Sequence, residues 1–391
     1  MTSRNGRPTH RPRNRKAQIV AAALDCFHQS GYHATGMEDI AAAVGITAGS
    51  LYWHFRGKQE LLEHAVLAGL DRALDATQNA EGLESVLRSL ASFSLENRAF
   101  PAVWEREEGN LSPEGLAAVQ ERNKKVAGIV SSAIRDARPD LEAADTELLG
   151  WAVLGVLASP SFHKIDLPRP RFDELLCELG ADVCQAQALP AAASSPTSSS
   201  APRLPHSSRR EALLSAAVQL FAERGFQAVS MDDIGAAAGI SGPAVYNHFA
   251  AKTDLLSMAL HRSTGALYFD LDQALTHSGS PRIALERTLR TFCTVNLASG
   301  GTATLLSALP HLPAADRESL HRAQVEYAAE LVGLLRACRP DMDQIEARIA
   351  VHSVFTMLRV LSRRPAIKHR TDPVQTVVTL GLQTLGLRPG T

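Results

Sequence analysis

A chain of 391 residues is longer than one hydrophobic core usually serves well, so two or more domains are expected. Its residues are 45% hydrophobic but only 5% aromatic, with abundant Ala and Leu, which suits packed helices and argues against a strand-dominated protein. The net charge of -1 excludes a uniformly basic nucleic-acid binder, though local basic faces remain compatible with it.

No apolar run reaches bilayer length. The start, with Arg4, Arg7, Arg11, Arg13, Arg15 and Lys16, lacks the apolar core of a signal peptide, so a cytoplasmic protein with no membrane partner is expected. The five cysteines, Cys26, Cys177, Cys184, Cys293 and Cys338, are odd in number, scattered and without a Cys-x-x-Cys pair; they read as reduced side chains.

Taken in chain order, residues 1–14 form a basic arm. Ile19, Val20, Ala23, Leu24 and Phe27 then recur at helical spacing, and Gly31 stands where a helix C-cap is favoured. Thr35 lies three residues before Glu38, a capping-box spacing that opens a short helix from about Met37 to Val44. Gly45 supplies a tight turn, Ile46 an apolar anchor, and Thr47 a cap for a third helix over about Ala48 to Phe55. Residues 15–61 are therefore expected to form a helix-turn-helix domain, and 62–188 a helical body with an apolar stripe through Leu83, Val86, Leu87, Leu90 and Phe93.

Residues 189–208, LPAAASSPTSSSAPRLPHSS, have almost nothing bulky to bury and read as a linker. Its roughly 20 residues reach on the order of 65 Å when extended. Beyond it the pattern repeats. RKAQIVAAALDCFHQSGYHATGMEDIAAAVGITAGSLYWHFRGKQELLEHA, from Arg15, aligns without gaps to RREALLSAAVQLFAERGFQAVSMDDIGAAAGISGPAVYNHFAAKTDLLSMA, from Arg209. Ser230 with Asp233, Gly239 and Ser241 repeat the capping and turn devices, and Pro243 falls in the first turn of a helix, where its missing N–H costs nothing. A second helix-turn-helix domain over 209–255 and a second body over 256–391, with Leu331, Leu334 and Leu335 in its core, follow. IRDARPD, from Ile134, also resembles LRACRPD, from Leu335; its simplest meaning is helix punctuation, Pro stopping one helix and Asp capping the next.

A major groove about 12 Å wide admits one α-helix and exposes distinguishable base edges, which gives the third helix of each head its chemical sense. Phe27, Ile40, Ile46 and Phe55, with Phe221, Ile234, Ile240 and Phe249, read as the cores that hold it. Thr47, Ala48, Ser50, Tyr52, Trp53 and His54, and Ser241, Gly242, Ala244, Tyr246, Asn247 and His248, are the exposed candidates for DNA contact, with Thr35 and Ser230 at the start of the second helices.

GITAGSLYWHFRGKQELL and GISGPAVYNHFAAKTDLL closely resemble the recognition-helix signature of tetracycline-repressor (TetR/AcrR) regulators. The resemblance implies an all-α protein of two such units in tandem, each a three-helix DNA-binding head on a helical ligand-binding and dimerisation body. It also implies a repressor that a small-molecule effector releases from a double-stranded operator. By matching position, Tyr52, His54, Tyr246 and His248 would contact phosphates, joined by Lys58 and Lys252 from the start of the fourth helix. Family members often carry Ser before that lysine, where this chain has Gly57 and Ala251, so a weakened cap is expected there. The arginine-rich arm favours tighter phosphate binding by the first head.

The resemblance also places a ligand cavity in the body, with Phe100, Trp104, Trp151 and Phe162 as candidate wall residues. The alternative for each is plain packing. No His-x-x-x-His pair, Gly-x-Ser-x-Gly elbow or phosphate-cradling Gly-rich loop is present, so no enzymatic activity, metal site or cofactor is expected; His163 and His352 read as packing residues. Because one chain already carries two heads, an intramolecular pseudo-dimer is expected in place of a homodimer of the fused chain. The alternative function is an interaction or scaffold protein whose second head no longer binds DNA.

Overall fold

The computed structural model describes residues 15–187, 189–191, 204, 206–297 and 305–387; the arm and most of the linker lie outside them. Among the described residues the regular elements are helices. In the first copy these are α1 (Arg15–Ser30), α2 (Met37–Val44), α3 (Ala48–Tyr52), α4 (Lys58–Thr77), α5 (Gly82–Glu96), α6 (Ala99–Glu107), α7 (Pro113–Ala137), α8 (Ala143–Leu157) and α9 (Arg171–Cys184). The second copy contributes α10 (Arg209–Arg224), α11 (Met231–Ala237), α12 (Gly242–Val245), α13 (Lys252–His277), α14 (Pro281–Leu297), α15 (Ala314–Cys338), α16 (Gln344–Ser362), α17 (Pro365–Lys368) and α18 (Pro373–Thr384). None is long and apolar enough to cross a membrane, among the described residues.

The chain divides into two compact units, residues 1–76 with 97–126 and residues 77–96 with 127–391. In the first, Ile19, Leu24 and Phe27 of α1 are buried with Ile40, Leu51 and Phe55, as the apolar spacing requires. Phe100 of α6 presses on Gly69 so closely that a Cβ there would lie 2.2 Å from the ring. In the second, Leu213, Phe221, Ile234, Val245 and Phe249 form one core with Leu305, Ala308, Leu312 and Leu320.

The division does not follow the repeat, because α8 and α9 pack with the second copy and α5 packs on α9 and α8. Nearly every residue of α8 from Leu148 to Leu157 is buried, a helix apolar all round and therefore enclosed on all sides. It runs along α16, while α9 packs on α18. Gly155 makes the approach possible: a Cβ at that position would lie 2.6 Å from the Cα of Met357.

Two ion pairs relate the copies reciprocally. Arg171, opening α9, donates to Glu346 in the first turn of α16 at 2.6 Å, and Arg370, just before α18, donates to Asp145 in the first turn of α8. The same kinds of residue thus meet in both directions, the signature of a two-fold pairing. Arg370 is 2% exposed and also donates to the carbonyls of Ala144 and Pro190, and Thr371 N–H donates to Ala191 O, so the first linker residues lie against the second copy.

The Arg-Pro-Asp repeats do more than stop helices. Arg138 grips both carboxylate oxygens of Asp140, at 2.9 and 2.8 Å, and donates to Cys184 O at 2.9 Å, placing a cation on the carbonyl end of α9. Arg339 pairs with Asp341 through a single bond at 3.0 Å. The expected capping by these aspartates is not found: Glu142 and Asp343 hold the N-cap positions of α8 and α16.

Candidate nucleic-acid interface

Each head turns from its second to its third helix on a glycine in the left-handed region, Gly45 at φ +70° and Gly239 at φ +67°, where a side chain would be strained. Ile46 N–H then donates to Ala41 O, and Ile240 N–H to Gly235 O, closing both turns. Thr47 caps α3 by accepting from Ser50 N–H at 3.2 Å, as expected. Ser241 occupies the N-cap of α12 but makes no side-chain cap bond, and Pro243 sits in the first turn. α3 ends at Tyr52, short of the Phe55 that the sequence suggested, and α12 is a single turn. Their last turn tightens, with His54 N–H bonded to Leu51 O and His248 N–H to Val245 O, each at 2.9 Å.

Most of the candidate DNA-contact residues lie on the solvent side of the two elements. Trp53 is 90% exposed, Tyr52 52% and Tyr246 56%, unusual for large apolar rings without a partner. Thr47, Ser50, His54, Ser241 and Asn247 are exposed beside them, while Ala48, Gly242, Ala244 and His248 are half-buried. Leu51 and Val245 point inward and are fully buried.

Three expected contacts move elsewhere. Thr35 is only 2% exposed, and its hydroxyl donates to Gly31 O at 2.7 Å; it ties α1 to α2 and is not available to DNA. The N-cap of α2 is Gly36, whose N–H donates to Asp39 at 2.7 Å, one residue later than the Thr35–Glu38 reading. The repeat register carried that answer, since Gly36 aligns with Ser230, which does form the reciprocal capping box with Asp233. The third change concerns the lysines. Lys58 Nζ donates to Tyr32 O at 2.7 Å and Thr35 O at 2.9 Å and lies 4.4 Å from the Tyr32 ring centre. Lys252 Nζ donates to the carbonyls of Phe226, Gln227 and Val229 at 2.7, 3.3 and 2.8 Å, and partial burial pulls its pKa below the usual lysine value. An ammonium has three donors, so that of Lys252 is fully engaged. Both lysines clasp the loop between the first two helices of their head instead of reaching toward phosphate.

The weakened cap before each fourth helix is compensated by carboxylates, Arg56 N–H donating to Glu60 at 2.6 Å and Ala251 N–H to Asp254 at 3.0 Å. Sequence reasoning missed two cations at the far end of the third helices. Lys16 lies 5.2 Å above the Phe55 ring, and Arg210 lies 4.3 Å above Phe249 while donating to His248 O at 2.7 Å. Their equivalence in the repeat, both basic, was the available signal.

The first head is also bolted to α6. Glu107, 5% exposed, accepts from Tyr32 N–H at 3.1 Å, from Arg106 Nε at 2.6 Å and from Asn110 at 2.9 Å. Arg106 donates in turn to the carbonyls of Phe27 and His28, which end α1. In the second copy Gln227 reaches the His311 ring at 3.1 Å, and Phe226 stacks on it.

The expected ligand residues are placed as follows. Phe100 is buried on Gly69, and Trp104 is half-buried on the same helix. Trp151 is 6% exposed with the Arg364 guanidinium 3.7 Å over its ring, and Arg359 lies 4.8 Å over Phe162. Those two rings are covered by arginines of the second copy, so they belong to packing between the copies and not to an open cavity wall.

Two heads built on a glycine-hinged turn, each with an exposed short helix on a buried apolar footing, define a helix-turn-helix DNA-binding protein. The family model described as bacterial regulatory proteins, tetR family, matches the chain twice, at residues 19–65 and 213–259. The chain is 30% identical over 156 residues to the HTH-type transcriptional regulator UidR of Escherichia coli strain K12, covering 37% of this chain and 80% of that protein. It is 38% identical over 90 residues to the HTH-type transcriptional activator FasR of Mycolicibacterium smegmatis, covering 23% of this chain and 41% of that protein. The crystal structure of a TetR-family transcriptional regulator from Bordetella parapertussis aligns with 46% of this chain and 95% of its own, at 23% identity and a TM-score of 0.41. The chain belongs to the tetR family and is a DNA-binding transcriptional regulator with two such units in tandem.

Proposed function

We propose that the chain is a cytoplasmic repressor that binds its operator as a single-chain pseudo-dimer and is released by a small amphipathic effector. The reciprocal pairs Arg171–Glu346 and Asp145–Arg370 are the observation that carries the pseudo-dimer, because they join the bodies as a family homodimer would join two chains. Tyr52, Trp53, His54 and Ser50 in one head, and Tyr246, Asn247, His248 and Ala244 in the other, then read two different half-sites. The operator is imperfectly palindromic, its half-site centres about one helical turn (34–36 Å) or a multiple apart.

The effector reading rests on a row of aromatic rings in the second body. Tyr268, Tyr327, Phe292 and Phe355 follow one another with ring centres 5.9, 6.2 and 4.4 Å apart. Asp270 raises the Tyr327 pKa through its charge, after burial as the larger cause, and its buried Oδ2 has no hydrogen-bond partner in the protein. A molecule with a flat apolar part and one donor group would stack on those rings and reach that oxygen. Its binding would be linked to DNA release by a coupling of about 1–3 kcal/mol.

Selection of bound sequences from random DNA by the purified chain, followed by sedimentation on the selected site, tests the core of this reading. One chain on an asymmetric site supports it, and two chains on a perfectly symmetric site overturn the pseudo-dimer. A reporter placed behind that site separates repression from the activation in FasR's name.

A further inference from the structure

Given the pseudo-dimer, we infer that the pairing faces of the two bodies are heterotypic: each fits the other copy and neither fits a second copy of itself. The alignment that begins at the Arg-Pro-Asp repeats continues without gaps, setting Trp151 against His352, Ala152 against Ser353, Gly155 against Thr356, Val156 against Met357, Ser159 against Val360 and His163 against Arg364. In the same register Asp145 matches Glu346, whereas Arg171 matches Asp372 and Arg370 matches Arg169, so a like pair of second copies would set Asp372 toward Glu346 where the mixed pair has an arginine. Three other contacts also discriminate.

The first is the close approach at Gly155. A like pair of second copies would put Thr356 where Gly155 stands, and its Cβ would fall on the Met357 backbone, 2.6 Å from Cα in the present geometry. A like pair of first copies would set Gly155 against Val156, leaving unfilled the space Met357 takes.

A hydroxyl pair supplies the second. Ser159 and Ser353 are both fully buried with their oxygens 2.9 Å apart. Ser353 donates its proton to Ile349 O at 2.9 Å, so Ser159 is the donor between them. Two first copies would face Ser159 with Ala152 and leave that buried O–H without an acceptor; two second copies would face Ser353 with Val360.

At the ends of the helices lies the third. Arg364 covers Trp151 at 3.7 Å, while at the equivalent place across the pairing His163 lies 5.1 Å from His352. A pair of second copies would put Arg364 over His352 in place of Trp151, exchanging the ring face a guanidinium prefers for a smaller one already in the field of Arg348. All three contacts are matched in the mixed pair and mismatched in the like pair of second copies. The first two fail in the like pair of first copies as well. Specificity here comes from penalties on the wrong partner as much as from contacts with the right one.

The test uses the full chain with a protease site inserted between Pro196 and Pro202, cleaved after folding and mixed, then weighed by native mass spectrometry. Heterotypic faces give the one-to-one complex of unlike halves in more than about tenfold excess over either like pair. A ratio near the statistical two to one overturns the inference while leaving the pseudo-dimer standing. No complex of any kind overturns the pseudo-dimer and the inference with it. On the uncut chain, Gly155→Thr should lower the thermal midpoint, and the transposed set G155T/V156M/T356G/M357V should restore most of it. An unchanged midpoint in Gly155→Thr, or no recovery in the transposed set, counts against the Gly155–Met357 contact as the discriminating one.

Discussion

Lys58 Nζ lies 2.7 Å from Tyr32 O, and Lys252 Nζ lies 2.7 Å from Phe226 O at the matching place in the second head. The same clasp formed twice, from sequences that differ around it, makes it part of how each head is built.

Lys58→Met should therefore act on the head's stability more than on its charge. Losing two charge-assisted bonds to carbonyls costs about 1.5–3 kcal/mol, measured by chemical denaturation. The salt dependence of DNA binding should stay as it is. A slope reduced by about one would instead restore a direct phosphate contact.

Residues exposed on the third helices should set sequence preference, because contacts to the DNA backbone carry no base information directly. Trp53→Ala or Ser50→Ala is expected to change the preferred bases in one half-site, and Asn247→Ala those in the other. Binding-site selection with each variant is the measurement. Uniform weakening on all sequences would place these side chains on phosphate.

Burial pushes the His352 pKa down to about 4, with Arg348 adding to the effect, so the native protein holds this imidazole neutral. The unfolded chain takes up a proton near the ordinary value of about 6.5, so stability is unaffected above that pH and falls as the pH drops from there toward 4. The loss should reach about 2 kcal/mol by pH 5. Thermal melts at pH 7 and pH 5 should show it in the native chain and show less of it in His352→Phe; equal losses in both would assign the effect to other groups.

The two reciprocal ion pairs should respond unequally to removal of the acid. Asp145→Ala leaves the Arg370 guanidinium buried at 2% exposure with carbonyls alone, and breaking such a pair costs about 3–5 kcal/mol. Glu346→Ala leaves Arg171 partly exposed and still paired with Glu178 at 2.7 Å, so a loss within about 1 kcal/mol is expected. Equal losses in denaturant titrations would refute the distinction.

Local chemistry was legible in the sequence where one residue decides the outcome. Gly45 and Gly239 mark the turns, Thr47 and Ser230 the caps, and the apolar spacing of α1 its buried face. What depends on the rest of the fold was not. Whether Thr35 faces DNA or the carbonyl of Gly31 is settled by how α1 meets α2, and the side chain is equally suited to either. Lys58 is basic in both roles, and only the path of the preceding loop decides which oxygens it meets. Trp151 looked like a cavity wall because its covering group, Arg364, lies far along the chain in the second copy.

The burial of α8 from Leu148 to Leu157 has a consequence during synthesis. A ribosome adding about 5–20 residues per second needs roughly 10–35 s to pass from the end of α9 to the end of α16. Once past the tunnel, α8 waits about that long for α16, close to other nascent chains on the same messenger that display the same helix. Ser159 and Gly155, which match poorly with their own kind, leave that surface without a good partner until its own second half emerges.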